Sequence, residues 1–291
     1  MRLARYVYRE EETYGFLTAE GIVNYKTVSS ELRLKLPTQF EELLSDHELL
    51  DYLVNVQHKF TRLKAITLSK VKLQAPIKNP PKIICLGLNY LNHARESGIA
   101  PPSELVIFFK TNNAIANPFD TIEIPSDYTQ KVDYEGEMAF IIGRKGKRID
   151  RLTALKYVLG YMVLNDVSTR DLQFRDGQWC RGKSLDKFAP IGPWITVKDE
   201  VPDPHRLHLT TRVNGELRQD SSTANMIFKI QDIIAVLSRG MTLEPGDIIA
   251  TGTPSGVGFA SKLKSKLLKN GDVVEVEVEK LGVIRNKFIF T

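Results

Sequence analysis

The stretch Val132-Asp133-Tyr134-Glu135-Gly136-Glu137-Met138-Ala139-Phe140-Ile141-Ile142 limits what this chain can fold into more than any other part of it. The apolar run reads as a β-strand, and the two-residue period of a strand puts Glu135, Glu137, Ala139 and Ile141 on one face. Two acids side by side at the head of such a strand repel each other. Burying either one uncompensated costs several kcal/mol, so a shared cation is one resolution. Gly136 between them permits close backbone approach. An exposed Glu-x-Glu at a strand edge is the competing reading of this segment alone.

A second apolar run, Tyr157-Val158-Leu159-Gly160-Tyr161-Met162-Val163-Leu164, ends in Asn165-Asp166. Acids at strand ends serve as ligands in many enzymes, and as turn caps at least as often. Taken together, Glu135, Glu137 and Asp166 would offer only hard oxygen donors, with no His or Cys among them. That set favours Mg²⁺ or Mn²⁺ over zinc.

Three further segments carry reactive or anion-binding groups. Leu86 to Gly98 follows a strand and reads as a short helical turn with His93 and Glu96 at i and i+3, where the carboxylate can orient the imidazole. A surface His-Glu pair is the alternative. Gly177-Gln178-Trp179-Cys180-Arg181-Gly182-Lys183-Ser184 matches the phosphate-loop pattern GxxxxGK[ST], but no apolar strand leads into it and no helical pattern follows. Nucleotide binding through this loop is therefore a distant option, and Lys183 is better read as a cation for a substrate carboxylate or enolate. Finally, Thr251-Gly252-Thr253-Pro254-Ser255-Gly256-Val257-Gly258 forms a loop able to offer hydroxyls and amides to an anion, or a purely structural turn.

The rest of the chain supplies a frame for these groups. Arg5-Tyr6-Val7-Tyr8 and Tyr14-Gly15-Phe16-Leu17 read as a strand pair, followed by a helical stretch over residues 40–63. Three prolines between Ala75 and Lys82 suggest a linker, dividing a small N-terminal α+β domain (1–74) from a catalytic domain (75–291). Beyond it come short β runs at 83–86, 138–142, 161–164, 194–197 and 274–278, an Asn214-Gly215 hairpin, and a helix from Asn225 to Leu237 stopped by Gly240. The fold class expected is mainly β with α.

Composition excludes several classes. With 42% apolar and 26% charged residues the chain is an ordinary globular one. No apolar run approaches a membrane span and no signal core follows Met1, so a cytoplasmic protein is expected. Cys85 and Cys180 stand apart without a CxxC and are read as reduced. The net charge of +5 is spread along the chain, and the densest patch, Lys262 to Lys269, reads as the solvated face of a short helix, so nucleic acid is not an expected partner.

Six stretches, in order, resemble motifs of the fumarylacetoacetate hydrolase family. They are Gly87-Leu88-Asn89-Tyr90 with His93 and Glu96, Asp133 to Glu137, Asn165 to Gln173, Gly182-Lys183-Ser184 with Asp186, Val213 to Glu216, and Thr251 to Gly258. The resemblance covers nearly all of residues 82–291. It implies a distorted mixed β-barrel or roll, often a homodimer, with a variable N-terminal domain. It also implies that Glu135, Glu137 and Asp166 hold the metal and that a 2-oxo acid chelates it through its keto and carboxylate oxygens. His93 with Glu96 would activate water or move a proton from a closing segment, Lys183 and Thr253 would hold substrate oxygens, and Gln173 would sit near that segment. The reactions implied are C–C hydrolysis of acylpyruvates or 1,3-diketo acids first, with oxaloacetate-type decarboxylation and 2-hydroxyhepta-2,4-diene-1,7-dioate isomerisation as alternatives. Sugar-acid dehydratases of the family tend to lack the His/Glu pair.

Overall fold

The computed structural model describes residues 1–259 and 266–291. Two sheets carry the architecture, which is α+β. The larger has eleven strands, and its path runs Gly21–Asn24, Glu11–Thr18, Arg2–Tyr8, Ala189–Val197, Val158–Asn165, Gly136–Ile142, Ile248–Ala250, Ile83–Gly87 and Val106–Lys110. The smaller runs Glu216–Ser222, His208–Val213, Val273–Val278, Gly282–Phe290 and Thr121–Ile124. Both are mixed: Ile248–Ala250 lies parallel to Ile83–Gly87, and Gly282–Phe290 parallel to Thr121–Ile124.

The strand Gly136–Ile142 is buried along its whole length because each face meets a different core. Met138, Phe140 and Ile142 point into the layer between the sheets, against Val274, Val276 and Phe288. Ala139 and Ile141 point the other way, into a core shared with Leu3, Phe16 and Leu53 of the N-terminal segment. Burying a side chain of this size contributes roughly 1.5–3 kcal/mol, so both faces hold the strand in register. The N-terminal segment also continues the large sheet, with Arg2 opposite Thr196 and Leu3 opposite Ile195.

Most of the expected elements form near their expected places. Asn214 (φ +52°) and Gly215 (φ +83°) make the hairpin turn with two left-handed residues. Residues 40–63 divide into helices Phe40–Ser45 and His47–Val56 and a 3₁₀ turn at Gln57–Arg62. The helix read from Asn225 starts later, at Ile230, and includes Gly240. Its first turn is pre-empted: Ile227 N–H donates to the Asn89 carbonyl and Phe228 N–H to Asn89 Oδ1, both at 2.8 Å, which keeps 227–228 out of the helix. Of the basic patch, Lys262 to Ser265 lie outside the described residues. Leu268 beyond them is not helical but packs in the core, its N–H donating to Val132 O. Both cysteines are free thiols. Among the described residues no helix is long and apolar enough to cross a membrane.

One histidine caps the start of the Ile230 helix. His205 Nε2 accepts the Ile230 N–H at 3.2 Å, so the ring must be neutral at that nitrogen. Burial and then Lys229 hold its pKa below the ordinary value, while Asp203, 3.8 Å from Nδ1, and Asp232 pull the other way. With the folded pKa depressed, the unfolded chain binds the proton first, and stability falls as pH drops through the unfolded value. His205→Gln, which keeps an acceptor, is expected to remove this dependence, worth about 1 kcal/mol. Urea midpoints at pH 7.5 and 5 for both proteins test it; an unchanged pH slope in the variant refutes it.

Candidate active site

The carboxylate cluster is assembled by strand register. Gly136–Ile142 runs antiparallel to Val158–Asn165 with Gly136 opposite Asn165, so the residues just outside the ladder, Glu135 and Asp166, become neighbours. Asp166 N–H donates to Glu135 O at 2.9 Å, and Glu135 N–H to Asn165 Oδ1 at 3.0 Å. Glu135, Glu137 and Asp166 are all buried, and one oxygen from each lies within 4.8 Å of the others. Glycine is required at 136 because a Cβ there would stand 2.2 Å from Thr211 Oγ1 of the second sheet.

Three cations neutralise the cluster in part. Lys183 Nζ donates to Glu135 Oε2 (2.8 Å) and Asp166 Oδ2 (2.7 Å), and Lys110 Nζ to Asp166 Oδ1 (2.6 Å). The Arg170 guanidinium meets Glu135 Oε1 at 2.6 Å and spans Asp133 Oδ2 at 2.8 and 2.9 Å. Burial alone would raise the Glu135 pKa, but Lys183 and Arg170 pull it far below the carboxylate range. Glu137 behaves oppositely. Burial pushes its pKa well up, and Asp166 and Glu135 push it further. Its Oε2 accepts the Gly252 N–H at 2.8 Å, whereas Oε1 is buried with no partner among the described residues. Three buried carboxylates, one with an unsatisfied oxygen and none beside a nitrogen or sulfur ligand, are a donor set that fits a hard divalent cation.

Above the cluster lies a cavity of about 190 Å³ whose wall includes Glu135, Lys183, His93, Gln173 and Thr253. The structure therefore brings seven of the eight residues singled out from sequence to the cavity or the carboxylates beneath it, with Glu96 behind His93. His93 and Glu96 share the short helix Leu91–Glu96, but Nδ1 stands 3.8 Å from Glu96 Oε2, beyond a hydrogen bond, and has no partner among the described residues. Glu96 Oε2 accepts the Gly256 N–H at 3.0 Å, tying this helix to the Thr251–Gly258 loop. Burial raises the Glu96 pKa, yet the facing ring and that amide hold it below the usual range.

Two of these side chains also have partners within the protein. The Thr253 hydroxyl donates to Gly136 O at 2.9 Å and accepts from Gln219 Nε2 at 2.8 Å, so its proton is already committed within the protein. Gln173 Oε1 likewise accepts from Arg170 at 2.9 Å, leaving its amide nitrogen for other partners. The Gly177–Ser184 loop follows a helix, Arg170–Arg175, and its own turn at Cys180–Lys183 directs Lys183 to the carboxylates. Its lysine is thus engaged, and Gly182 presses against the Gln173 backbone. Arg170 and Asp133, inside the motif stretches but given no role there, belong to the site, as do Lys110 and Gln219, which do not stand out in the sequence. Lys110 closes the apolar run Val106-Ile107-Phe108-Phe109, the same strand-end signal that Asp166 gives.

Two mixed sheets holding an acid cluster at the floor of a small cavity describe a metal-site enzyme scaffold rather than a binding module. Residues 82–289 match the family described as Fumarylacetoacetate (FAA) hydrolase C-terminal, and the chain belongs to that family of enzymes. It is 46% identical over 229 residues to the oxaloacetate tautomerase Fahd2a, mitochondrial, of Rattus norvegicus, covering 78% of this chain and 72% of that protein. The fumarylacetoacetate hydrolase of Exiguobacterium antarcticum is 36% identical and superposes with a TM-score of 0.84 over 100% of both chains. Maleylpyruvate hydrolase from Sphingobium sp. SYK-6, solved in complex with manganese(II) ion and pyruvate, is 31% identical with a TM-score of 0.80, over 100% of this chain and 99% of that one.

Proposed function

We propose that this enzyme moves a proton at the carbon next to the keto group of a 2-oxo acid, with keto–enol tautomerisation of oxaloacetate as its reaction. The observation that carries the reading is Glu137 Oε1, buried and unpartnered among the described residues, beneath a cavity whose wall contains His93. Glu135, Glu137 and Asp166 would hold a divalent cation, Mg²⁺ or Mn²⁺. When bound, the ion supplies Lewis-acid polarisation of the keto oxygen. His93 removes a proton from C3 in the keto-to-enol direction and returns it in the reverse, while the keto oxygen takes a proton from water or gives one back to it. Glu96, 3.8 Å from Nδ1, offsets the positive charge that His93 gains with the proton, and Lys183 offsets negative charge developing on the substrate oxygens. The apolar remainder of the wall, including Phe108 and Trp179, keeps bulk water from the carbanionic carbon. The tautomerase relative supports this choice.

Hydrolysis of a C–C bond in an acylpyruvate is the second reading, favoured by the likeness to maleylpyruvate hydrolase. There His93 would deprotonate water, which adds to the distal carbonyl before the bond breaks. An ultraviolet assay of oxaloacetate enol decay, beside acetylpyruvate and an unsaturated oxo-diacid, separates the readings. Each is run with Mg²⁺, Mn²⁺ and excess chelator. Fast ketonisation lost with chelator is expected; cleavage of acetylpyruvate without acceleration of ketonisation overturns the first reading, and full activity after chelation overturns both.

A further inference from the structure

We propose that Gln219 is a positioning residue for the carboxylate cluster: its carboxamide ties the Gly136 peptide, which joins Glu135 to Glu137, to the loop at Gly252–Pro254, and so sets how tightly the cluster holds a divalent cation. The inference rests on the cation reading above and extends it to a residue of the second sheet. Gln219 lies on the strand Glu216–Ser222 and is 1% exposed.

The connection is a closed ring. Gly136 N–H donates to Gln219 Oε1 at 2.9 Å, Gln219 Nε2 donates to Thr253 Oγ1 at 2.8 Å, and Thr253 Oγ1 donates back to Gly136 O at 2.9 Å. Gln219 Nε2 also donates to Pro254 O at 2.9 Å. This fixes the amide's orientation. A backbone N–H can face only the oxygen, and a carbonyl only the nitrogen, so neither end can be exchanged. The ring also has a reason to exist. Toward Ile248–Ala250 the ladder of the Glu137 strand reaches only Ala139, three residues beyond Gly136, so Gly136 has no strand partner on that edge. Side chains of Gln219 and Thr253 take the place of a strand and satisfy both backbone groups.

The same loop holds Glu137 directly, through Gly252 N–H on Oε2. Gln219 therefore restrains Glu137 twice: from its own backbone neighbour, and through the loop that grips its side chain. Replacing the carboxamide with an apolar group would leave Gly136 N–H and Pro254 O unsatisfied in a buried place, and either the peptide or the loop would shift to recover partners. A shift at either point moves a ligand oxygen of Glu137 relative to Glu135 and Asp166.

The test uses the full chain with Gln219→Met, similar in length, and Gln219→Glu, which keeps the acceptor for Gly136. Free Mn²⁺ is followed by electron paramagnetic resonance during titration, and thermal melts are recorded in chelator. The Met variant is expected to bind Mn²⁺ at least about tenfold more weakly than the parent, the usual consequence of losing a partner that orients a ligand, and the Glu variant to fall between. A merely structural role would lower the chelated melting temperature and leave Mn²⁺ affinity alone; that result overturns the proposal. Should the Met variant not fold, unchanged affinity in the Glu variant overturns it equally. Failure of the parent chain to bind Mn²⁺ is a separate outcome, which refutes the cation reading and this inference with it.

Discussion

Glu137→Gln is expected to weaken Mn²⁺ or Mg²⁺ binding by about a hundredfold or more, above the range seen when only an orienting partner is lost, and to leave the metal-free protein at least as stable as the parent. The two effects have one cause. Glu137 is fully buried, receives one N–H from Gly252, and faces Glu135 and Asp166 without a cation of its own, since Lys183, Lys110 and Arg170 all bind the other two acids. In metal-free protein that carboxylate is a liability. A neutral amide of the same shape removes the repulsion, while taking away the charge and the oxygen that an ion would use. Melting curves in chelator and in millimolar Mg²⁺ read both effects, because a ligand that binds only the native state raises the midpoint by mass action. The parent should gain stability with Mg²⁺ and the variant should not. A variant that gains as much as the parent would show that Glu137 is not a ligand.

The second large effect is expected from His93→Ala: a fall in kcat of about 10²–10⁴-fold, the usual contribution of a positioned acid–base group, with Mn²⁺ affinity near that of the parent. His93 stands in the cavity wall, and its Nδ1 has no partner among the described residues. Glu96 is 3.8 Å away, beyond a hydrogen bond, and acts on the ring through its charge. Glu96→Gln should accordingly cost less than His93→Ala. Steady-state ketonisation rates beside Mn²⁺ titrations separate this from a binding defect. A His93→Ala enzyme with parental kcat would remove the histidine from the mechanism.

Much of this site is legible in the amino-acid sequence, for reasons that can be named. Glu135 and Glu137 stand out because two-residue periodicity sorts side chains by face, and Asp166 because it ends an apolar run abruptly. Asn214-Gly215 announces its hairpin because few residue pairs tolerate two left-handed conformations in succession. The oxygen-only donor set narrows the ion, and the ordered motifs point to the family. Lys110 carries the same strand-end signal as Asp166 but reads as an ordinary surface lysine until Asp166 is placed beside it. The start of the Ile230 helix is not legible in its own neighbourhood, because Asn89, 139 residues away, competes for the backbone of 227–228.

Local periodicity, turn chemistry and donor type are properties of neighbouring residues, and they dictated which strands form, which face carries the acids and which ions suit them. Partnership is different, because Coulomb attraction and hydrogen bonding depend on distances between segments that the chain order does not encode. Tertiary packing alone assigned Lys183 and Lys110 to Asp166, turned the Thr253 proton towards Gly136, and inserted Gln219 of the second sheet beside a glycine that admits no side chain. It also left one oxygen of Glu137 without a partner among the described residues, and the proposed cation would take that oxygen as a ligand.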